Sequence, residues 1–342
     1  MSAPESEAER LTAALNSLLE GEIAKAALIA LGPAAIPALR RFLLEGRPGT
    51  VYQPRRWAVE ALGALGAREV LVEYLSLPRA PDPQIEFAEE AVRNAAIREF
   101  LRWPDAATVS FLLALAKRMM LPALVEVFGQ LRVLEAIPYL DRALEDDFCR
   151  LPAEDALASI GEAAREALIL SATTRFAPEG MEYPSSLRRR QSALRVLIRT
   201  GIRPQDWAML RGLLEEEDPE IVTLTCLLAV ENRISEAAQP GATRLLAIAG
   251  KAPWFLLDDI VNCLRSWYEA AETLIASELE RRLRAPAAVR VQDQTLRVLL
   301  RVQASVRGYT PGGNRCRSAI AARSRENGAL EACSPGPRSP TP

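Results

Sequence analysis

The sequence predicts an all-α protein built as an α-solenoid, a superhelix of about eight to nine stacked helical hairpins. The phrase "ALGPAAIPALRRFL" at residues 30–43 returns as "SIGEAAREALILS" at residues 159–171. Apolar residues within each copy recur at helical spacing, as at Ile36, Leu39 and Leu43. Since a lone helical hairpin leaves one apolar face in water, repeated hairpins are expected to stack on one another.

Four clear copies set the period of the repeat. "AKAALIALGPAAIPALRRFL" begins at Ala24 and "RWAVEALGALGAREVLVEYL" begins at Arg56, a spacing of 32. "LVEVFGQLRVLEAIPYLDRAL" from Leu124 and "AEDALASIGEAAREALILSA" from Ala153 repeat the arrangement. A divergent unit is predicted over residues 85–117. Degenerate copies follow around four later residues: Ser192, Val222, Ile260 and Leu296.

Local signals predict where the helices of each copy begin and end. A glycine lies at the joint of each clear copy, where a left-handed backbone would cost it no Cβ clash. These glycines are Gly32, Gly66, Gly129 and Gly161. Asp82–Pro83 and Asp218–Pro219 predict helix starts, because aspartate caps free amides and proline suits the first helical position.

These cores resemble the HEAT-repeat superfamily, particularly the bacterial phycobilisome-lyase HEAT-like repeat proteins. The resemblance is carried by "ALGPAAIPAL", "ALGALGA", "SIGEAAREAL" and the helix start "DPEIV". It covers about residues 5–305 and is looser beyond Ser186, where the glycine-centred phrase is lost. The resemblance implies HEAT-like hairpins whose second helices line one concave surface that binds a partner.

The repeats predict one solenoid over residues 1–307. The segment "TTRFAPEGMEYPSSLRRR" contains two prolines and a glycine and interrupts the helical pattern. Its loop, residues 174–186, is a candidate boundary between two half-arrays, 1–173 and 187–307. Residues 308–342 lose helical periodicity and gain proline, glycine and serine, which predicts a disordered basic tail.

The composition argues against several kinds of catalytic site. The chain contains no histidine, which removes the commonest metal ligand and the usual base of nucleophilic triads. Its cysteines are far apart and odd in number, so neither a disulfide framework nor a metal knuckle is expected: Cys149, Cys226, Cys263, Cys316 and Cys333. Cys226 and Cys263 lie among apolar residues and are predicted to be core thiols. We expect no enzyme activity, no cofactor and no metal.

The first residues and the hydropathy predict a cytoplasmic protein. "MSAPESEAER" is acidic and lacks the basic start and apolar core of a secretion signal. No uninterrupted apolar run approaches the roughly 18 residues of a membrane span. The adjacent acidic pairs, such as Asp146 and Asp147, are predicted to be solvated or to form turns, since neighbours on a helix point in different directions.

Charges on the predicted second helices are the candidate binding residues of the concave face. They are Arg40, Arg41, Glu73, Asp141, Arg142, Arg165, Glu166 and Arg211. Their mixture of signs favours an unidentified protein or peptide partner over a polyanion. Residues 281–342 carry twelve arginines and three carboxylates, whereas residues 1–280 carry 30 basic and 41 acidic side chains. Nucleic acid and membrane are therefore not expected partners of the array. The oligomeric state is left open.

Three alternative functions stay open from the residues and the resemblance. Some HEAT-like proteins are DNA glycosylases, and Trp254, Asp258, Arg265 and Trp267 are an alternative aromatic and acidic site for a damaged base. Tryptophans in helical arrays are, however, usually wedges between helices. Similar repeats also occur in bilin lyases. The basic amphipathic segment 281–307 suits either a membrane surface or the docking of a terminal repeat.

Overall fold

The computed structural model describes residues 3–46, 48–178 and 180–306, and throughout this part of the chain the regular elements are helical. The α-helices are α1 (Ala3–Ala14), α2 (Gly21–Leu31), α3 (Ile36–Leu44), α4 (Gln53–Ala64), α5 (Arg68–Ser76), α6 (Pro83–Glu99), α7 (Ala106–Ala116), α8 (Pro122–Leu131), α9 (Ile137–Ala143), α10 (Arg150–Ile160), α11 (Arg165–Thr173), α12 (Pro184–Thr200), α13 (Trp207–Leu210), α14 (Pro219–Glu231), α15 (Ala238–Ile248), α16 (Leu257–Ser266), α17 (Tyr268–Leu283), α18 (Ala287–Gln292) and α19 (Gln294–Val306). Short 3₁₀ turns lead into or extend several of them. The all-α prediction is confirmed.

The helices pack on one another in two rows that follow chain order. In the first row, α2, α4, α6, α8, α10, α12, α14 and α16 each pack on the next, and α19 packs on α16. The second row contains the contacts of α1 with α3, α3 with α5, α9 with α11, α11 with α13, and α15 with α17. Alternate helices are therefore neighbours in space along the first row, and in the second row within three separate runs: α1 to α5, α9 to α13, and α15 to α17.

Three of the four predicted joint glycines have the left-handed backbone. Gly32, Gly66 and Gly161 have φ of 72°, 75° and 72°, which a larger residue would adopt only with strain. The prediction for Gly129 is wrong, because Gly129 lies inside α8 and the left-handed residue there is Arg132 (φ 50°). A Cβ at Gly129 would come 2.6 Å from Cβ of Ala156, so this glycine lets α8 and α10 approach closely.

The predicted aspartate caps are confirmed. Asp82 accepts hydrogen bonds from the backbone amides of Gln84 and Ile85 at the start of α6. Asp218 accepts one from Ile221 at 2.8 Å at the start of α14. Asp146 has the predicted turn role, since its Oδ1 accepts the amides of Phe148 and Cys149, both at 2.9 Å.

Buried apolar side chains form one cluster that runs through the described residues from Leu15 to Val302. Trp57, Trp207 and Trp267 are buried in it, as the wedge interpretation of the tryptophans predicts. The ring of Trp57 occupies the space beside Gly21, where any side chain would collide with it. Cys226 and Cys263 are also buried, which confirms that they are core thiols.

The loop after α11 is shorter than predicted. Helix α12 begins at Pro184, within the expected loop 174–186, because proline already has the backbone angle of a first helical position. Helix α12 packs on both α10 and α11, so the row of contacts continues across this loop. The predicted tail, 308–342, lies outside the described residues.

The segment Gly21–Leu44 is apolar and long enough to cross a membrane, judged by length and composition alone. The positive φ of Gly32 divides this segment into α2 and α3. Leu28, Leu39 and Leu43 are fully buried against neighbouring helices. These three leucines thus contribute to the core of the helical array.

Candidate functional site

Three of the charged residues predicted to line a concave face link helices of the second row. Arg40 of α3 donates to Glu73 of α5 through two hydrogen bonds, Nε to Oε2 at 3.0 Å and Nη2 to Oε1 at 2.5 Å. Arg41 of α3 donates to Glu9 of α1 at 2.7 Å. A partner that binds these groups would have to compete with ion pairs already made inside the protein.

Arg165 and Asp141 are also engaged within the array. Arg165 Nε lies 3.2 Å from Asp206 Oδ2, and its guanidinium lies 3.4 Å from Glu162. Burial raises the pKa of the Asp141 carboxyl, and the hydroxyl of Ser171 opposes part of that rise. Both residues therefore contribute to packing between helices of the second row.

The other three predicted residues are exposed and make no ion pair with any described residue: Arg142, Glu166 and Arg211. Arg142 lies on α9, Glu166 lies in the first turn of α11, and Arg211 directly follows α13. Since α9 packs on α11 and α11 on α13, these charges lie on, or directly after, three successive helices of the second row. This row keeps accessible charges of both signs.

The alternative aromatic and acidic site is spread along α16. Trp254 is 79% exposed on the turn before this helix and stands edge-on to Phe255. Asp258 Oδ1 accepts a hydrogen bond from Arg301 Nη2 of α19 at 2.6 Å. Arg265 lies in the last turn of α16 and is exposed.

Trp267, the fourth member of that site, is buried at the end of α16. A Cβ at Gly241 of α15 would come 2.5 Å from Cζ3 of its ring, so the indole fills the space that this glycine leaves. A base could stack on Trp267 only if α15 and α16 separated. Trp254 and Trp267 therefore do not form one open aromatic pocket.

A buried arginine not singled out from the sequence holds the loop between α11 and α12. Arg190 is fully buried and donates from Nε to the carbonyl of Ala172 at 2.9 Å. Its Nη1 donates to Glu182 at 2.7 Å and its Nη2 to Glu216 at 2.6 Å. Glu182 also accepts a hydrogen bond from the Ser186 hydroxyl at 2.7 Å. One cation thus joins the end of α11, the loop and the segment before α14.

The loop that Arg190 holds exposes apolar side chains at its tip. Phe176, Met181 and Tyr183 are exposed, and the rings of Phe176 and Tyr183 meet edge-to-face at 5.3 Å. The amide of Tyr183 donates to the carbonyl of Phe176, and the amide of Phe176 donates to Ser186 Oγ. The backbone under these side chains is therefore held by hydrogen bonds while the side chains face solvent.

A third exposed ring lies in the loop between α9 and α10. Phe148 is 82% exposed between α9 and α10. Arg189 bridges the two loops, because its Nη1 donates to Glu145 at 2.9 Å and its Nη2 to the carbonyl of Thr174 at 3.0 Å. We name the exposed side chains of Phe148, Phe176, Met181 and Tyr183 the apolar loop surface.

Charges of both signs surround the apolar loop surface. Arg188 Nε lies 3.4 Å from Asp147, whose side chain is largely exposed. Arg175 Nε lies 3.4 Å from Glu182 and is half exposed. The apolar side chains are therefore framed by a polar rim, which is the composition of many protein-binding surfaces.

The sequence contains a signal for Arg190 that composition alone does not show. Arg190, Ala193, Leu194 and Leu197 follow helical spacing, which places this arginine on the buried face of α12. A charge on an apolar face needs fixed partners. The partners come from residues 182 and 216, and helical spacing within α12 does not reveal either of them.

A further buried ionic cluster joins α4, α5 and α6. Arg55 Nε donates to Glu89 at 2.6 Å, and the Tyr74 hydroxyl donates to the same carboxylate at 2.8 Å. Burial, with the charge of Glu89 beside it, raises the pKa of Tyr74 well above its ordinary value. Because the cluster is closed to solvent on all three helices, we assign it to packing.

The thiols of the described residues are poor nucleophiles at neutral pH. Burial and the nearby charge of Asp146 raise the pKa of Cys149 to about 12. Burial also raises the pKa of Cys226 and of Cys263. Within the described ranges no group of three or more cysteine, aspartate or glutamate side chains could hold a metal ion.

An open apolar cleft is lined by Thr50, Pro83, Gln84 and Phe87.

Comparisons with known proteins leave the family of this chain unassigned. No family model matches the chain, and no match was found among curated proteins. The crystal structure of an engineered protein is similar at 14% sequence identity, over 90% of this chain and 100% of that chain, with a TM-score of 0.33.

Proposed function

We propose that this chain is a HEAT-like α-solenoid that serves as a non-catalytic scaffold for another protein in the cytoplasm. The solenoid arrangement is supported by the first row of helices, in which alternate helices pack on one another in chain order from α2 to α19, and by the three runs of such contacts in the second row. In repeat arrays each unit contacts only its neighbours along the chain, which gives this pattern of contacts.

Ion pairs between units support the same arrangement. Five hydrogen-bonded pairs in the N-terminal half join residues that are 32 to 37 positions apart, close to the repeat spacing of 32 in the sequence. Two of them are Lys25 with Glu60 and Arg55 with Glu89, which link α2 to α4 and α4 to α6. The same kind of contact therefore recurs from one unit to the next.

The apolar loop surface is the observation that carries the scaffold function. A fully buried arginine with two carboxylate partners is a costly way to order a loop whose own tip stays in water. Because the loop is already ordered before a partner binds, less conformational entropy is lost on binding. We therefore propose that a protein segment with apolar side chains and flanking charges of both signs binds here.

Site-specific photocrosslinking in cells tests this function. A photoreactive residue replaces Phe176 in the full chain, and a matched control replaces Leu134, which is also exposed but lies on the turn before α9. We expect a discrete protein to crosslink at position 176, not at 134, and to be lost when Phe148→Ser and Tyr183→Ser are added.

Two outcomes would contradict the proposal. One is the same set of proteins at both positions, which would indicate chance encounters. The other is crosslinking at position 176 that the two added substitutions leave unchanged, since they remove apolar contact area but no buried group.

A further inference from the structure

The first helices of the array expose apolar side chains next to acidic ones. Leu18 and Leu19 lie in the connection between α1 and α2, and Leu19 is 91% exposed. Ile23 of α2 is also exposed. Residues 3–23 contain five glutamates and one arginine. Helix α1 packs on α2 and α3, so this acidic apolar patch lies at one end of the rows of helices.

The last helices expose apolar side chains next to basic ones. None of the residues of α18 is buried, and Val289 and Val291 on it are 55% and 69% exposed. Leu283 at the end of α17 is exposed as well. Residues 281–306 contain six arginines and one aspartate. Because α19 packs on α16 and α17, this basic apolar patch lies at the other end of the rows.

Uncovered apolar ends are unusual for a helical array. Terminal units of repeat proteins normally carry a polar outer face, since no further unit covers them. Within the described residues both ends are apolar, and they differ in the sign of their net charge: five glutamates against Arg10 and Lys25 over residues 3–25, and six arginines against Glu278, Glu280 and Asp293 over residues 278–306. At the acidic end Glu9 pairs with Arg41 and Glu22 with Lys25, so the excess is carried by the remaining glutamates. The guanidinium groups of Arg281 and Arg284 pair with glutamates of their own helix but keep most of their surface in solvent.

We propose that the acidic apolar end of one molecule docks on the basic apolar end of a second copy, head to tail. Burial of the leucines and valines would drive the contact, and the charges would set its direction, because like ends repel each other. Such an interface is heterologous, so each molecule keeps one free end for another copy, and chains or a closed ring can form.

The residues that follow α19 are a poorer occupant of the basic end. Residues 307–342 continue directly from Val306 and carry six arginines against two glutamates. Their net positive charge matches that of the basic end in sign, so electrostatics opposes their folding back onto it. The acidic end of a second copy is complementary in both charge and hydrophobicity.

Light scattering after size-exclusion chromatography, over a range of concentrations of the full chain, tests this inference. Wild-type protein is expected to increase in mass with concentration, and less so in high salt. Leu19→Arg would place a cation against the arginines, and Val291→Asp an anion against the glutamates. Each alone is expected to weaken association at least about tenfold. Both positions are exposed, so folding of the monomer, checked by circular dichroism, should be unaffected.

Recombination of the two variants distinguishes this interface from symmetric ones. An equimolar mixture should associate again, since each variant supplies the intact end that the other lacks. A chain carrying both substitutions should recover part of the association, because the introduced arginine and the introduced aspartate attract each other across the interface. The inference is overturned if wild type stays monomeric at every concentration, if either single variant associates like wild type, or if the mixture stays monomeric.

Discussion

Single residues at helix crossings set how closely the units approach. Gly21, Gly129 and Gly241 each lie where a neighbouring side chain occupies the space of a Cβ. For Gly21 of α2 that neighbour is Trp57 of α4, and for Gly241 of α15 it is Trp267 at the end of α16. Large and small residues thus interlock between successive units, as close packing requires.

Adding one methyl group at such a crossing should be costly. Gly241→Ala would place a Cβ 2.5 Å from the Trp267 ring, and we expect it to lower the free energy of unfolding by about 1–3 kcal/mol. Gly212→Ala is the matched control, because a Cβ there has no atom within 4 Å; it should change stability by less than about 0.5 kcal/mol. Urea denaturation measures both. Equal stability of the two variants would contradict this packing.

Asp105 should make stability depend on pH in the acid range. Two hydrogen bonds from Arg68, with that of the Thr108 amide, lower the pKa of Asp105 to about 2. Because the folded pKa lies below the ordinary value near 3.8, the ionised carboxylate stabilises the fold above about pH 4, and this contribution is lost as the pH falls toward 2.

The comparison of wild type with Asp105→Asn tests the sign of this effect. The variant should unfold at lower urea than wild type at pH 5, and the difference should shrink as the pH falls from 4 to 2. Thermal or urea midpoints across that range provide the measurement. A difference that stays constant with pH would show that the carboxylate does not titrate in this range.

At the residue scale, the sequence predicts roles that depend on near neighbours and misses those that depend on distant ones. Asp82 and Asp218 cap helices as predicted, because the amides they bind are two or three residues away. Gly129 occupies the joint position of its repeat copy, as Gly32 does in its own copy, but it lies inside a helix. Its role is to allow the close packing of α10 against α8. No local pattern contains that information.

At the scale of elements, the loop between α11 and α12 shows how a connection becomes an ordered surface. The sequence predicts a loop there from its prolines and glycine. Its order comes from α12, where Arg189 and Arg190 reach back to the carbonyls of Thr174 and Ala172. The loop could therefore be placed from the sequence, but its conformation depends on contacts that span 15 to 44 residues.

Removal of the buried cation should loosen this loop. Arg190→Leu leaves the mostly buried carboxylates of Glu182 and Glu216 without this partner, and we expect a loss of about 3–5 kcal/mol in the free energy of unfolding. Limited proteolysis should also cut faster at Phe176 and Met181. The control is Arg188→Leu, whose exposed pair with Asp147 should contribute no more than about 1 kcal/mol.

Unchanged proteolysis in a folded Arg190→Leu protein would contradict the role of Arg190 in ordering this loop. A loss of stability in both variants of equal size would also contradict it, because the effect would then come from the basic run of α12 and not from the buried ion pairs.

At the scale of the whole molecule, the periodic phrase predicts the all-α class, and the order of helix contacts agrees with stacked units. The accessibility of the predicted concave-face charges could not be predicted from the sequence. Arg40, Arg41 and Arg165 each form an ion pair with a carboxylate about one repeat away, and Glu73 is the partner of Arg40. Sequence spacing places such residues on a row of helices, whereas their pairing depends on which charges of the next unit come within reach.

Small-angle X-ray scattering of residues 1–306 at high dilution tests the proposed solenoid most directly. A compact chain of this length has a radius of gyration of about 19 Å. Nine first-row helices stacked 8–10 Å apart give an elongated array, for which we expect a radius of about 25 Å and an asymmetric distance distribution. A radius near 19 Å with a symmetric distribution would contradict the solenoid and the scaffold proposed on it.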